Sequence, residues 1–281
     1  VNIINEHGVL PTRNWQTGVF PSADRISGET MSTRTLVRQR ACFGCPISCG
    51  RVTAVSKGRY TGRGEGPEYE STWALGAQCG IDDLEAITKA NYLCNELGMD
   101  TISFGSTVGC AMELHQRGLL PASEGWPALQ FGDADAMLDL VEQTAYRRGI
   151  GDRLAEGSHR MAAQLGHPEL SMSVKKQELP AYDPRGVQGM ALTYATSNRG
   201  GCHVRGYMIS PEVLGLPKLL DRFITTDKAA WTKIYQDLTA VIDSSCVCLF
   251  TAFALGAPQY LSMLRAGTGI DYTEESMMQV G

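Results

Sequence analysis

Along most of this 281-residue chain, apolar residues recur at helical spacing, and no strong alternating strand pattern is found. Asp82 or Asp83 reads as the cap of a helix with Leu84, Ile87, Asn91 and Cys94 on one face, stopped by Gly98. Asp133 opens a second helix, with Met137, Leu138, Val141 and Ala145 inward, Arg147 and Arg148 in its last turn, and Gly149 closing it. A third is expected from Leu154 to Leu165, ended by Gly166. A fourth runs from about Asp227 to Val241, with Ala230, Trp231, Ile234, Leu238 and Val241 in register. Before these, residues 1–31 read as an irregular lead-in, Met31 to Arg40 as a short helix, and Tyr60 to Pro67 as a loop too rich in glycine for regular structure. The expected class is mainly α: two helical domains with long loops, a cofactor and a cluster held between them. Periodicity breaks at Gly166-His167-Pro168, and residues 171–206 form a loop-rich tract. The expected domains are therefore 1–168 and 169–281.

Charge and cysteine content narrow the function classes. The net charge of −5 argues against a nucleic-acid partner, which needs a basic face. No run is long enough for a membrane-spanning helix. The best candidate, Cys246 to Leu255, is short and interrupted by Thr251. Nine cysteines are too few for a disulfide scaffold, and their odd number suits metal binding in the cytoplasm. Three of them, Cys42, Cys45 and Cys49, form a C-x2-C-x3-C knot broken up by Gly44 and Pro46. Iron–sulfur clusters take four thiolates, so the knot asks for one more ligand; one disulfide plus a spare thiol is the alternative. The spacing is the reverse of the radical-SAM order, and the second C-x2-C pair of a zinc site is missing. Cys248, at the end of the fourth helix, supplies a fourth thiol. The two helix ends also echo each other: Asn95-Glu96-Leu97-Gly98-Met99-Asp100 and Asp243-Ser244-Ser245-Cys246-Val247-Cys248.

With these residues in view, the chain resembles the second and third domains of the tungsten-dependent aldehyde ferredoxin oxidoreductases over nearly its whole length. Five stretches carry the resemblance, in the family's order. They are the cysteine knot with its distant Cys248, Glu65 to Glu70 followed by Cys79 to Leu84, Leu97 to Ser103, Glu178 to Gly186, and Tyr194 to His203. The resemblance implies a 4Fe–4S cluster on Cys42, Cys45, Cys49 and Cys248. It also implies a tungsten or molybdenum bis-pterin held at the two echoing motifs through Asn95, Gly98, Asp100, Asp243 and Val247, with Arg185 on pterin phosphate. Arg199 and Arg205 are candidates for the same role, and each of the three arginines is otherwise a plain ion-pair partner. Two positions depart from the family pattern: Asn95 stands where Asp is usual, and Cys246 replaces the expected Gly. The family's β-rich first domain and its C-terminal stretch are not seen, so the chain resembles an internal piece of a longer enzyme.

Individual residues carry two readings. Glu68 and Glu70 are either solvated carboxylates on a turn or, for Glu70, a carboxylate near the metal that orients or deprotonates water. His203 is either a backbone-bonded loop histidine or a proton donor or acceptor at the aldehyde oxygen, with a pKa near neutrality. Cys79, Cys94, Cys110 and Cys202 read as buried apolar groups, whereas Cys246 is either packing or a substitute ligand. No mononuclear metal bridging a dimer is expected. The implied activity is oxidation of a small aldehyde to its carboxylic acid with ferredoxin as acceptor, in a homo-oligomer when full length. The alternatives are a relative that reduces a carboxylate or thioester, or a non-catalytic iron–sulfur electron-transfer module.

Overall fold

In the computed structural model, which describes residues 1–280, half of the chain is helical and 8% lies in strands, as a mainly-α class requires. The chain divides into two units, Val1–Asp183 and the residues from Pro184 onward. The boundary expected at 168 moves because residues 169–183 pack with the first unit. Glu178, buried there, accepts hydrogen bonds from Ser103 Oγ (3.0 Å), Ser158 N (2.9 Å) and Ser158 Oγ (3.0 Å).

The first unit runs α1 (Asn2–Glu6), α2 (Gly28–Arg34), β1 (Leu36–Arg40), β2 (Gly50–Val55), β3 (Gly62–Glu65), α3 (Tyr69–Leu75), α4 (Leu84–Leu97), α5 (Thr101–Gln116), α6 (Ala134–Ala145), α7 (Gly151–Leu154), α8 (Gly157–Gln164), and a small hairpin of β4 (Ser173–Val174) and β5 (Gln177–Glu178). Its centre is α5, with every residue from Phe104 to Leu114 buried. A helix buried all round shows no apolar stripe, which is why its periodicity is silent in the sequence. Against it lies α3, so close at Gly105 that a Cβ there would sit 2.3 Å from the Ala74 carbonyl oxygen. The caps at Asp83 and Asp133 form as expected: Asp83 accepts from Glu85 N and Ala86 N, and Asp133 from Ala136 N. In α6, Leu140 rather than Leu138 completes the buried face. The third expected helix is α8, which starts later, at Gly157 (φ +81°), while Leu154 ends the short α7.

Two stretches expected to be helix or loop form a sheet instead. The expected helix at Met31–Arg40 stops at Arg34 and continues as β1, and the glycine-rich loop contains β3; the antiparallel order is β1-β2-β3. Glycine is there for close packing, since a Cβ on Gly64 would lie 2.7 Å from the Tyr92 ring of α4. The lead-in is also ordered. Trp15 packs edge-on to Trp73 at 6.2 Å, and Trp73 Nε1 donates to the Pro11 carbonyl (2.6 Å). Asn14 donates to Glu113 (2.7 Å) and to the Leu170 carbonyl (2.9 Å), which ties residues 11–15 to α5.

The second unit contains α9 (Gln188–Thr196), a π-helical turn at Ser210–Leu214, α10 (Lys228–Ser244), α11 (Ala257–Thr268) and α12 (Glu274–Val280). So the expected loop tract 171–206 holds a helix. Val241, Ile242, Tyr260, Leu261 and Met277 form its core, with Val247 packed against them. The fourth expected helix exists, but Ala230 and Ile234 are exposed. At that end α10 buries Lys228 and Thr232 instead, with Lys228 paired to buried Glu212 at 2.5 Å. A paired buried charge keeps the face dry where the apolar pattern points outward.

Candidate functional site

The cysteine knot is the connection between β1 and β2. Arg40 pairs with Gly50 at the last rung, and the chain turns back through Gly44 (φ +68°) and Ser48 (φ +51°), with Cys45 N donating to the Cys42 carbonyl at 3.1 Å. Cys42 and Cys49 are exposed and Cys45 is half-buried; all nine cysteines of the chain are free thiols. Among the described residues, no three His, Cys, Asp or Glu side chains converge into a ready-made metal cage. The chemistry of the donor set still fits a cluster, because three accessible thiols share one turn and soft thiolates are what iron–sulfur centres take. Burial pushes the thiols of Cys79, Cys94 and Cys110 up to about 12, which suits packing rather than ligation.

Arg51, unnoticed in the sequence, ties the knot to the acidic helix. Its guanidinium donates to the Cys49 carbonyl (2.9 Å), the Pro67 carbonyl (3.1 Å) and the Glu68 carboxylate (2.8 Å). Glu68 is thus an ion-pair partner at the N-cap of α3, and Glu70 lies in the first turn of that helix. Glu70 accepts from Ala181 N at 2.9 Å, while neighbouring Tyr69 donates to the Ala181 carbonyl at 3.0 Å and meets the Tyr182 ring at 5.6 Å, tilted by 32°. Two of the five sequence stretches therefore meet at one residue, Ala181. Burial raises the Glu70 carboxyl to about 8; the Asp100 charge pushes the same way, and the bonds from Ala181 and Tyr182 oppose it. The solvated-turn reading does not fit such a group.

The echoing motifs are built alike. In the first, Gly98 takes φ +69°, Gly98 N reaches the Asn95 carbonyl (3.4 Å), and Met99 N reaches the Cys94 carbonyl (2.9 Å). In the second, Cys246 takes φ +57°, its N reaches the Asp243 carbonyl (3.1 Å), and Val247 N reaches the Ile242 carbonyl (3.3 Å). Both are Schellman-type helix ends. The last motif residue then starts the next helical segment in matching conformation: Asp100 at φ −67°, ψ 123° and Cys248 at φ −63°, ψ 130°. Asn95, Gly98, Asp100, Asp243 and Cys248 are all exposed. Asn95 also lines a cavity of about 400 Å³ with Arg63, Glu65, Glu68 and Tyr92.

A family model described as "Aldehyde ferredoxin oxidoreductase, domains 2 & 3" matches residues 1–281. The chain belongs to the aldehyde ferredoxin oxidoreductase family. Its relatives in that family include the tungsten-containing aldehyde ferredoxin oxidoreductases of Pyrococcus furiosus (52% identical) and Thermococcus kodakarensis (51%). Each is matched over 100% of this chain and 46% of its own length, so the chain spans a little under half of these relatives. An aliphatic sulfonate oxidoreductase, WOR-like subunit, of Pyrococcus furiosus is 32% identical over 69% of the chain and 32% of its own length. The fold is also that of the active-site complex BamBC of benzoyl coenzyme A reductase, at 16% identity and a TM-score of 0.75, covering 99% of this chain and 48% of that one.

Within the second unit, His203 sits on a half-buried loop with its ring 6.3 Å from Tyr207, which in turn meets Phe253 edge-on at 6.2 Å. Burial and the Arg199 charge push His203 down to about 4, not to the expected neighbourhood of neutrality. At neutral pH it is therefore an uncharged imidazole. Arg205 is ion-paired with Asp243, which joins the His203 loop to the second motif and takes the structural role of the two expected for it. Arg185 is exposed. No helix among the described residues is long and apolar enough to cross a membrane.

Proposed function

We propose that the full-length protein oxidises an aldehyde to its carboxylic acid at a tungsten (or molybdenum) bis-pterin, with electrons leaving through a 4Fe–4S cluster to ferredoxin. The observation that carries the reading is the matched pair of helix ends, each offering polar side chains at a left-handed cap. Cys42, Cys45 and Cys49 of the first unit and Cys248 of the second are the cluster ligands. Asn95, Gly98 and Asp100, with Asp243 and Val247, are the pterin contacts, and Arg185 is the phosphate contact. When bound, the metal–pterin group would accept the two electrons of the oxidation, with water as the source of the oxygen added to the product.

The chain's own residues position and move protons. Glu70, with its carboxyl near 8, holds a proton at neutral pH and exchanges it readily with a water or substrate oxygen. His203, neutral at that pH, donates a ring N–H hydrogen bond to the aldehyde oxygen rather than delivering a proton from imidazolium. Arg205 fixes Asp243 through their ion pair, and Arg51 fixes Cys49 through its carbonyl. The protein acts as a homo-oligomer in the cytoplasm. Metal analysis of the full-length protein, paired with an assay of aldehyde-dependent ferredoxin reduction, tests the reading. Tungsten or molybdenum with activity supports it. Iron without either metal favours a non-catalytic electron-transfer module, and metal with carboxylate or thioester reduction but no aldehyde oxidation favours the reductive relative.

A further inference from the structure

Between Glu29 and Glu65 the chain places seven of its 25 Lys and Arg and none of its 30 Asp and Glu, although the whole chain is acidic. The cysteine knot stands in the middle of that segment. Strand register sorts the side chains onto two faces. Thr53, Val55 and Gly64 face inward, toward α4, where Thr53 Oγ1 meets the Tyr92 hydroxyl at 2.7 Å. Arg38 pairs with Val52, Val52 with Glu65, and Ala54 with Arg63, so Arg38, Arg40, Arg63 and Glu65 share the outer face. All four are exposed. Arg51 is spent on Glu68, Arg34 on Glu85, and Arg59 on Asp135. Arg38, Arg40 and Arg63 make no ion pair among the described residues. At the knot itself, Phe43 is fully exposed, and Pro46 and Ile47 beside it are also exposed. Glu65 stands on the same outer face, Glu68 is paired with Arg51, and Glu29 lines a separate cavity with Cys49 and Gln39.

We infer that this outer face, with Arg38 and Arg40 around the apolar tip at Phe43, is the docking surface for a small acidic protein that carries one electron at a time. The inference rests on the proposed cluster at the knot and adds where, and through which charges, electrons leave it. A small apolar centre with a cationic rim suits a brief encounter, because charge steers the approach and the interface stays small enough to separate. Oxidation of one aldehyde with water releases two electrons and two protons. Each docking transfers one electron from the reduced cluster to the oxidised carrier, so two encounters complete a turnover. The net acidity of the chain favours a protein partner over a nucleic acid.

The test compares the full-length holoenzyme with its R38Q/R40Q, R38E/R40E, R38K/R40K and F43A variants. Activity is measured with a purified acidic ferredoxin and with a small viologen dye that needs no docking site. The glutamine pair should lower kcat/KM for ferredoxin at least tenfold at low salt and flatten its salt dependence. The glutamate pair should lower it further, the lysine pair should restore most of it, and F43A should lower it several-fold; viologen turnover and the cluster signal should stay unchanged. Ferredoxin kinetics unmoved in all four variants overturn the inference while leaving the enzyme reading intact. So does a parallel loss of viologen turnover and cluster signal, which would make the face structural. Retention of the holoenzyme on an oligonucleotide, lost in R38Q/R40Q with ferredoxin kinetics unmoved, replaces the inference with a polyanion site. A wild-type protein with no cluster signal defeats the enzyme reading itself.

Discussion

Cys246 holds in the second motif the left-handed backbone that Gly98 holds in the first, φ +57° against +69°. A side chain in that region costs about 1–2 kcal/mol, because Cβ crowds the carbonyl that follows. Glycine relieves the crowding but loses more backbone entropy on folding, which offsets roughly 0.4–1 kcal/mol. Cys246→Gly should therefore stabilise the protein by roughly 0.5–1 kcal/mol, read as a shift of the denaturation midpoint. The cluster signal of the same variant separates the two readings of Cys246: unchanged if it only packs, altered if it is a substitute ligand.

Glu70 should govern a pH limb. Its carboxyl is raised from 4.5 to about 8 in the folded protein. A group raised in this way contributes stability that is full below its ordinary value and is lost as pH climbs through about 8. Stability of the wild type should fall between those limits, and Glu70→Gln, which cannot ionise, should flatten the fall. The same variant should lose roughly 10²- to 10⁴-fold in kcat along with the activity limb near pH 8. A Gln variant with the wild-type pH profile would remove Glu70 from the chemistry.

The contact of α3 with α5 depends on a missing side chain. Gly105→Ala would put a methyl group 2.3 Å from the Ala74 carbonyl and force the helices apart. It should cost about 1–3 kcal/mol by overpacking. Because Ser71 Oγ meets Thr101 Oγ1 at 2.8 Å beside Glu70 and Asp100, the shift should also move the Glu70 activity limb. Thermal denaturation and the pH profile read the two effects.

Helix ends were legible in the sequence because their signals are local. Asp83, Gly98 and Asp133 cap where a carboxylate or glycine is expected to cap. What hid from the sequence depends on contacts between distant residues. α5 is buried on every side and has no stripe to read, and β3 looks like a loop because its glycines make room for Tyr92. The exposed Ile234 of α10 misleads in the opposite sense, since buried Lys228 and Glu212 replace the apolar pattern there. At the candidate site, the motif residues could be named from the sequence. Their electrostatics could not: Glu70 is raised and His203 lowered by burial, and burial is a property of the fold.

Low-temperature electron paramagnetic resonance of the reduced full-length enzyme, wild type beside Cys248→Ser, tests the central claim most directly. A four-thiolate cluster implies roughly four irons per chain and a 4Fe–4S signal in the wild type. In Cys248→Ser that signal should be lost or crippled, and electron transfer to ferredoxin with it. A signal unchanged in the serine variant would contradict the assignment of Cys248 as the fourth ligand. A wild-type enzyme that shows no such signal would contradict the account as a whole.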